Sequence, residues 1–310
     1  MSNRKIGLKL IRSAETADPQ HENTLIAWQD PRVLSGYRVR RVKGKLIAVM
    51  ASVCVALILY PLLDILFIFA YRGALAVSIP RLTQLTLQGG LANSIVGTLL
   101  LVALSTLIAI PLGVLGGIYL AEFSAQSRYA DSVRFIADVL AGMPSIVLGY
   151  VGFLLLVLYF GWGFSPLAGS LTLAILMLPY ILRTTELSLR KVPQNLREAA
   201  LALGSTKTQM INKMTFSLAL PGILTGIILS MSISMGETAP LLYTAGNSNY
   251  YPCGLTNCAL SYLTYVVYTF AKIPTADDQN LAYLSAFLLM SFVVTLNIAA
   301  RIGLRRLSRV

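Results

Sequence analysis

Residues 93–120 read NSIVGTLLLVALSTLIAIPLGVLGGIYL, an uncharged and mostly apolar run. The hydrocarbon core of a bilayer is about 30 Å thick, and an α-helix needs about 20 such residues to cross it. The solvent of this fold is therefore lipid. Comparable runs lie at roughly 46–70, 135–160, 167–188, 218–243 and 281–300, which with the first predict an all-α integral membrane protein of six transmembrane helices. Composition agrees: 56% of the 310 residues are hydrophobic and 12% charged, against about 25% charged in an ordinary soluble domain. Mean hydropathy is +0.70. The charges cluster between the runs, which excludes a single soluble core.

Six crossings place both termini on one side, and the basic residues say which. Of the 25 Lys and Arg, 22 fall in residues 1–45, 121–134, 183–216 and 301–310, and three (Arg72, Arg81 and Lys272) fall in the segments between. Basic loops stay cytosolic, so both termini are expected in the cytosol, flanking a permease domain at 46–300. The net charge of +12 follows from that topology; no basic groove with interleaved aromatics is present, and nucleic acid is not an expected partner. Residues 1–45, with ten Lys or Arg and four acids, lack the apolar core of a signal peptide and read as a cytosolic tail. His21 and Trp28 lie in it, and a lone His in a polar tail reads as solvated. Three cysteines without a neighbouring His cluster give no metal-ligand spacing.

Pro61, Pro111, Pro144, Pro179, Pro221 and Pro240 fall in or at the ends of the runs. Such prolines are tolerated where neighbouring helices satisfy the freed backbone groups, and they predict kinked helices. Gly113, Gly116, Gly117, Gly142 and Gly149 supply small faces for close packing.

Between the fourth and fifth runs lies VPQNLREAALALGSTKTQMINKM, residues 192–214. It is too polar to span yet strong in helix formers. Pro193 suits a first helical turn and Gly204 a helix end. Leu196, Ala199, Ala200 and Leu203 make an apolar stripe at i, i+3, i+4 and i+7. Thr206 and Gln209 have the spacing of a capping box that opens a second helix. A compact helical knob, able to dock in a partner's cleft, is expected over 192–216.

Within this loop REAALALG, Arg197 to Gly204, resembles the EAA loop of ABC-importer permeases. The matching residues are Glu198, Ala199, Ala200 and Gly204, and in that family the loop is the coupling helix seated in the ATPase subunit. The family's pattern closes with Leu-Pro, whereas this chain has Met214, Thr215, Phe216 and Ser217 before Pro221. Four blocks extend the likeness: the run from Asn93, DVLAGMPSIVLG from Asp138, LPYILRTTE from Leu178 and MGETAPLLYTAG from Met235. Together they resemble the PstA-type permease family of the bacterial high-affinity phosphate ABC importer. The resemblance implies a type I ABC importer permease in the bacterial inner membrane. It also implies a second PstC-type permease, a PstB-type ATPase dimer that binds ATP and Mg, and an extracytoplasmic PstS-type phosphate-binding protein. Ile233 stands where many relatives have Arg, so no substrate role carries over to that position.

Phosphate is costly to move bare into low dielectric, so its path needs cations and hydrogen-bond donors. Arg183, near the inner end of the fourth run, offers a permanent charge and a planar fork. Glu186 at i+3 can pair with it, either as a structural pair at the interface or as part of the pathway. Glu237 with Thr238, toward the outer end of the fifth run, is a second pathway candidate; its carboxylate repels phosphate and suits positioning a partner. Asp64 and Asp138 read as interfacial anchors. No G-x-x-x-x-G-K-[ST] sequence occurs, so ATP is expected on a separate subunit and no cofactor or catalytic activity in this chain. A permease for another oxyanion such as molybdate or sulfate, or a secondary transporter or channel, stays open at this level.

The long outer segment at about 244–280 contains CGLTNC, Cys253 to Cys258. On the extracytoplasmic side these two can pair, with Gly254 and Asn257 supplying turn conformations, or remain as two free thiols against apolar neighbours. Tyr250, Tyr251, Tyr262 and Tyr265 nearby are candidates for partner contacts or for the membrane interface.

Overall fold

The computed structural model describes residues 31–124 and 127–307, with side chains from residue 43 to 303 outside that gap. His21 and Trp28 lie outside the described residues. The chain divides into two units at Leu66 and Phe67. In the first, helix α1 (Pro31–Leu75) begins 15 residues before the apolar run that predicted it, at residue 46, so part of the expected tail is helical. Every described side chain of α1 within that unit is exposed, which suits a helix whose surroundings are lipid or another chain.

The second unit is built around α6 (Pro166–Arg190). On one side packs α3 (Ala92–Ile118), which follows the short α2 (Ile79–Thr83), and on the other α9 (Phe216–Gly236). The approach is close because glycines line both contacts. A Cβ on Gly113 would sit 2.7 Å from Ile181 and one on Gly117 2.6 Å from Thr185, while Gly222 and Gly226 meet Ser188 and Thr184 in the same way. Gly149 abuts Pro240, but Gly142 faces open space, so it takes no part in the packing expected of it. Ala109, Met177, Ile181, Leu189, Ala219 and Ile223 form the buried core of this three-helix layer.

The third run is not one straight span. It divides into α4 (Arg128–Gly142) and α5 (Ser145–Gly152), bent by 103°. Pro144 holds the preceding Met143 extended, at φ −75° and ψ 136°, as the ring of a proline demands of its neighbour. α4 carries Arg128, Asp131, Arg134 and Asp138, charges that are costly to place in hydrocarbon. The 8 residues of α5 run on into a 7-residue π-helical continuation, Phe153–Tyr159.

The knob consists of α7 (Gln194–Ala202), a turn at Leu203–Ser205, and α8 (Lys207–Gln209). Gly204 has φ +82°, the left-handed conformation that ends a helix without a Cβ penalty. Pro193 is the N-cap, one place before the first turn expected of it. Thr206 and Gln209 form both bonds of a capping box. From α8 the chain runs through π-helical Met210–Thr215 directly into α9, so the fifth span starts well before residue 218. It also stops early, at Gly236, before α10 (Ala239–Thr244). The segment after α10 carries α11 (Leu263–Phe270), and α12 (Ala276–Leu307) completes the described chain.

Candidate functional site

α7 has no buried residue. Glu198 and Ala199 are exposed, Ala200 is half-buried, and Leu196 and Leu203 of the apolar stripe face outward, Leu203 being 87% exposed. Apolar side chains raised on a polar turn form a surface suited to a cleft of another protein. One residue of the loop points the other way. Arg197, 13% exposed, donates from Nη1 to both carboxylate oxygens of Glu122, which is 3% exposed. Its Nη2 donates to the Leu189 carbonyl over 2.7 Å. Lys207 lies over the Phe123 ring, 4.6 Å from its centroid.

The predicted pair of Arg183 and Glu186 is part of a larger cluster. Glu186, 1% exposed, accepts from Arg183 Nη1 at 3.1 Å, Arg134 Nε at 2.7 Å and Arg190 Nη2 at 2.9 Å. Arg183 holds Asp138 at 3.1 and 3.2 Å, and Arg134 holds Asp131 at 2.6 Å. Arg134 also reaches the Leu120 carbonyl in the turn that follows α3. Three guanidinium groups and three carboxylates thus tie α4 to α6. Each carboxylate has at least one guanidinium partner, which offsets the cost of enclosing a side chain such as that of Glu186. Asp138, read from sequence as an interfacial anchor, pairs across helices with Arg183.

Glu237 and Thr238 lie at the break between α9 and α10. The Glu237 carboxylate is half-buried and bonded to the Ser145 side chain at the start of α5, and its backbone carbonyl accepts from Thr264 Oγ1 at 2.9 Å. Thr238 is the N-cap residue of α10, with no side-chain cap bond. No bond among the described residues joins Glu237 to Arg183. The bend at Met143–Pro144 separates them: Arg183 meets α4 before it, and Glu237 meets α5 after it.

Cys253 and Cys258 are joined as a disulfide in the structure, with Cα atoms 5.8 Å apart. Asn257, at φ +52°, supplies the turn, and its N–H donates to the Trp162 carbonyl over 2.6 Å. Leu167 donates to the Leu255 carbonyl, so the small loop is laid on the corner between α5 and α6. Tyr250 and Tyr251 are exposed, but Tyr262 is wholly buried among Leu101, Leu173, Leu241 and Leu260. Tyr262 therefore belongs to the core and not to a partner surface.

Glu122, Arg134 and Arg190 escaped the sequence reading. Glu122 and Arg134 lie 75 and 52 residues from their partners, and only the fold brings those together, whereas Arg190 stands at i+4 from Glu186 and was passed over within a basic stretch. The available signals were a glutamate closing an otherwise uncharged run at Glu122 and the helical spacing of Glu186 and Arg190.

Residues 113–309 match the family described as binding-protein-dependent transport system inner membrane component. The chain belongs to that family. Among its relatives, the phosphate transport system permease protein PstA 2 of Mycobacterium bovis is 41% identical over 293 residues, covering 94% of this chain and 95% of the relative. The phosphate transport system permease protein PstA of Yersinia pestis is 40% identical over 268 residues, with 85% and 90% covered. The fold is similar to that in an inward-facing structure of the MetNI methionine ABC transporter. There the TM-score is 0.58 at 20% identity, covering 74% of this permease and 99% of that chain. The family and the PstA relatives make this an inner membrane, multi-pass permease, and the shared fold gives it type I ABC importer architecture.

Proposed function

We infer that this chain is the transmembrane permease subunit of an ATP-driven phosphate importer, forming half of the translocation pathway. The observation that carries the reading is its identity of 41% over 94% of the chain to a phosphate transport permease. The exposed knob of α7, with Glu198 and Leu203 outward, supplies the surface through which an ATPase subunit acts. The basic loops, the knob and both termini face the cytosol, and the disulfide loop faces the extracytoplasmic binding protein. A second, PstC-type permease completes the path, a PstB-type ATPase dimer binds ATP and Mg below, and a PstS-type protein delivers phosphate above. ATP binding closes the ATPase pair, moves the knob and switches the paired permeases between inward-open and outward-open forms.

Arg183 serves the anion in this scheme. It is 33% exposed, and its charge is shared between Asp138 and Glu186. A guanidinium with one face still open can hand phosphate forward by exchanging a carboxylate for it, without leaving a bare charge in the membrane. Glu237 positions the start of α5 through Ser145. The test is reconstitution of the four-component complex in liposomes. ATP-dependent uptake of labelled phosphate, with sulfate and molybdate left outside, is the expected result; uptake of either competitor in its place overturns the assignment.

A further inference from the structure

The π-helical turn Tyr119–Phe123 that closes α3 receives a side chain from each helix of the knob. Arg197 of α7 reaches Glu122, and Lys207 of α8 covers Phe123. Glu122 and Arg197 are 75 residues apart in sequence, so neither the chain nor a helical repeat obliges them to meet. The same guanidinium holds the carbonyl of Leu189, in the last turn of α6, where a cation meets the negative end of the helix. One side chain thus joins three elements. No residue of α7 is buried, and covalent connections alone would tie it to α6 and α9 but not to α3.

We propose that the Arg197–Glu122 ion pair is a positioning device that carries movement of the knob directly into α3. The proposal rests on the reading of the knob as the ATPase contact. At 3% exposure, Glu122 stripped of its cation would leave a buried, uncompensated charge, so the pair stays closed while α7 moves. Because α3 packs on α6 through Gly113 and Gly117, motion entering at Glu122 reaches two of the three helices that carry the core. Arg197 is placed for this by its position one residue before Glu198: the Glu side faces the partner while the Arg side faces the bundle.

The experiment uses the whole transporter in liposomes and reads ATP hydrolysis and phosphate uptake on one preparation. Arg197→Gln and Glu122→Gln are each expected to lower phosphate moved per ATP by about fivefold while hydrolysis stays within about twofold. Reversing the pair, Glu122→Arg with Arg197→Glu, is expected to recover about half of the lost ratio. Arg197→Lys keeps the charge but cannot fork between Glu122 and Leu189, and its ratio falls between wild type and Arg197→Gln. Where the reversed pair does not assemble, this Lys variant decides. Single variants with a wild-type ratio overturn the proposal. So do variants that lose hydrolysis and uptake in step, which assign the pair to folding alone. A cysteine replacing Leu203 separates the two readings. Failure to cross-link to the ATPase overturns the coupling role of the knob, whereas a cross-link with an unchanged ratio in Arg197→Gln overturns only the ion-pair proposal.

Discussion

A carboxylate enclosed as Glu186 is depends on its cations, yet it has three of them, and they are not equivalent. Arg134 comes from α4, while Arg183 and Arg190 come from its own helix. Removing Arg183 leaves Glu186 with two partners, so Arg183→Gln is expected to fold and assemble while phosphate uptake falls at least tenfold, measured per assembled complex. Uptake at the wild-type rate would make the cluster a purely structural tie. Removing Glu186 instead leaves three guanidinium groups crowded together, and Glu186→Ala is expected to cost on the order of 3 kcal/mol, read as a lower midpoint of thermal unfolding in detergent. The pair at i, i+3 could be read from the sequence because helical spacing alone puts Arg183 beside Glu186. Arg134 could not, since it lies 52 residues from Glu186 and meets it only after the chain bends at Met143–Pro144.

At the scale of elements, the knob was legible almost to the residue because its signals are local: a proline before α7, a glycine after it, and a hydroxyl three residues before Gln209. A Cβ on Gly204 would meet nothing within 4 Å, so substitutions there act through the backbone alone. At φ +82°, Val is strained and Asn is tolerated. Gly204→Val is expected to uncouple hydrolysis from uptake with the protein still in the membrane, and Gly204→Asn to keep most of the coupling. Equal behaviour of the two would remove the left-handed turn from the mechanism. The third run misled because hydropathy averages over a window, whereas the break depends on one proline and on four charges in α4. The Cys253–Cys258 loop is short, and its closure is expected to add roughly 2 kcal/mol. Denatured without reductant, the protein should resist alkylation at both thiols, as read by peptide mass; full alkylation would rule out the bond.

For the whole molecule, the fold class and five of the six runs follow from length and polarity, which are properties of each segment by itself. Counting charges gives an expected sidedness, which labelling can test. A single cysteine at Leu255, in a chain whose native cysteines are serine, is expected to react with an impermeant reagent in right-side-out vesicles, and one at Leu203 only after permeabilisation. The reverse pattern would invert the topology. Contacts between distant segments were beyond reach of such counting, and this is why the ion cluster and the tie from α7 to α3 came only with the fold.

The knob stands between two π-helical turns, Tyr119–Phe123 below α3 and Met210–Thr215 leading into α9. Each holds one residue more than an α-helix of the same rise, a spare unit worth about 1.5 Å along the axis and about 100° around it. A helix with such slack can be wound as a screw is wound, with its hydrogen bonds exchanged one at a time. A push on the knob can therefore enter the membrane as torque, turning side chains into or out of the path with little net travel of the helices that carry them.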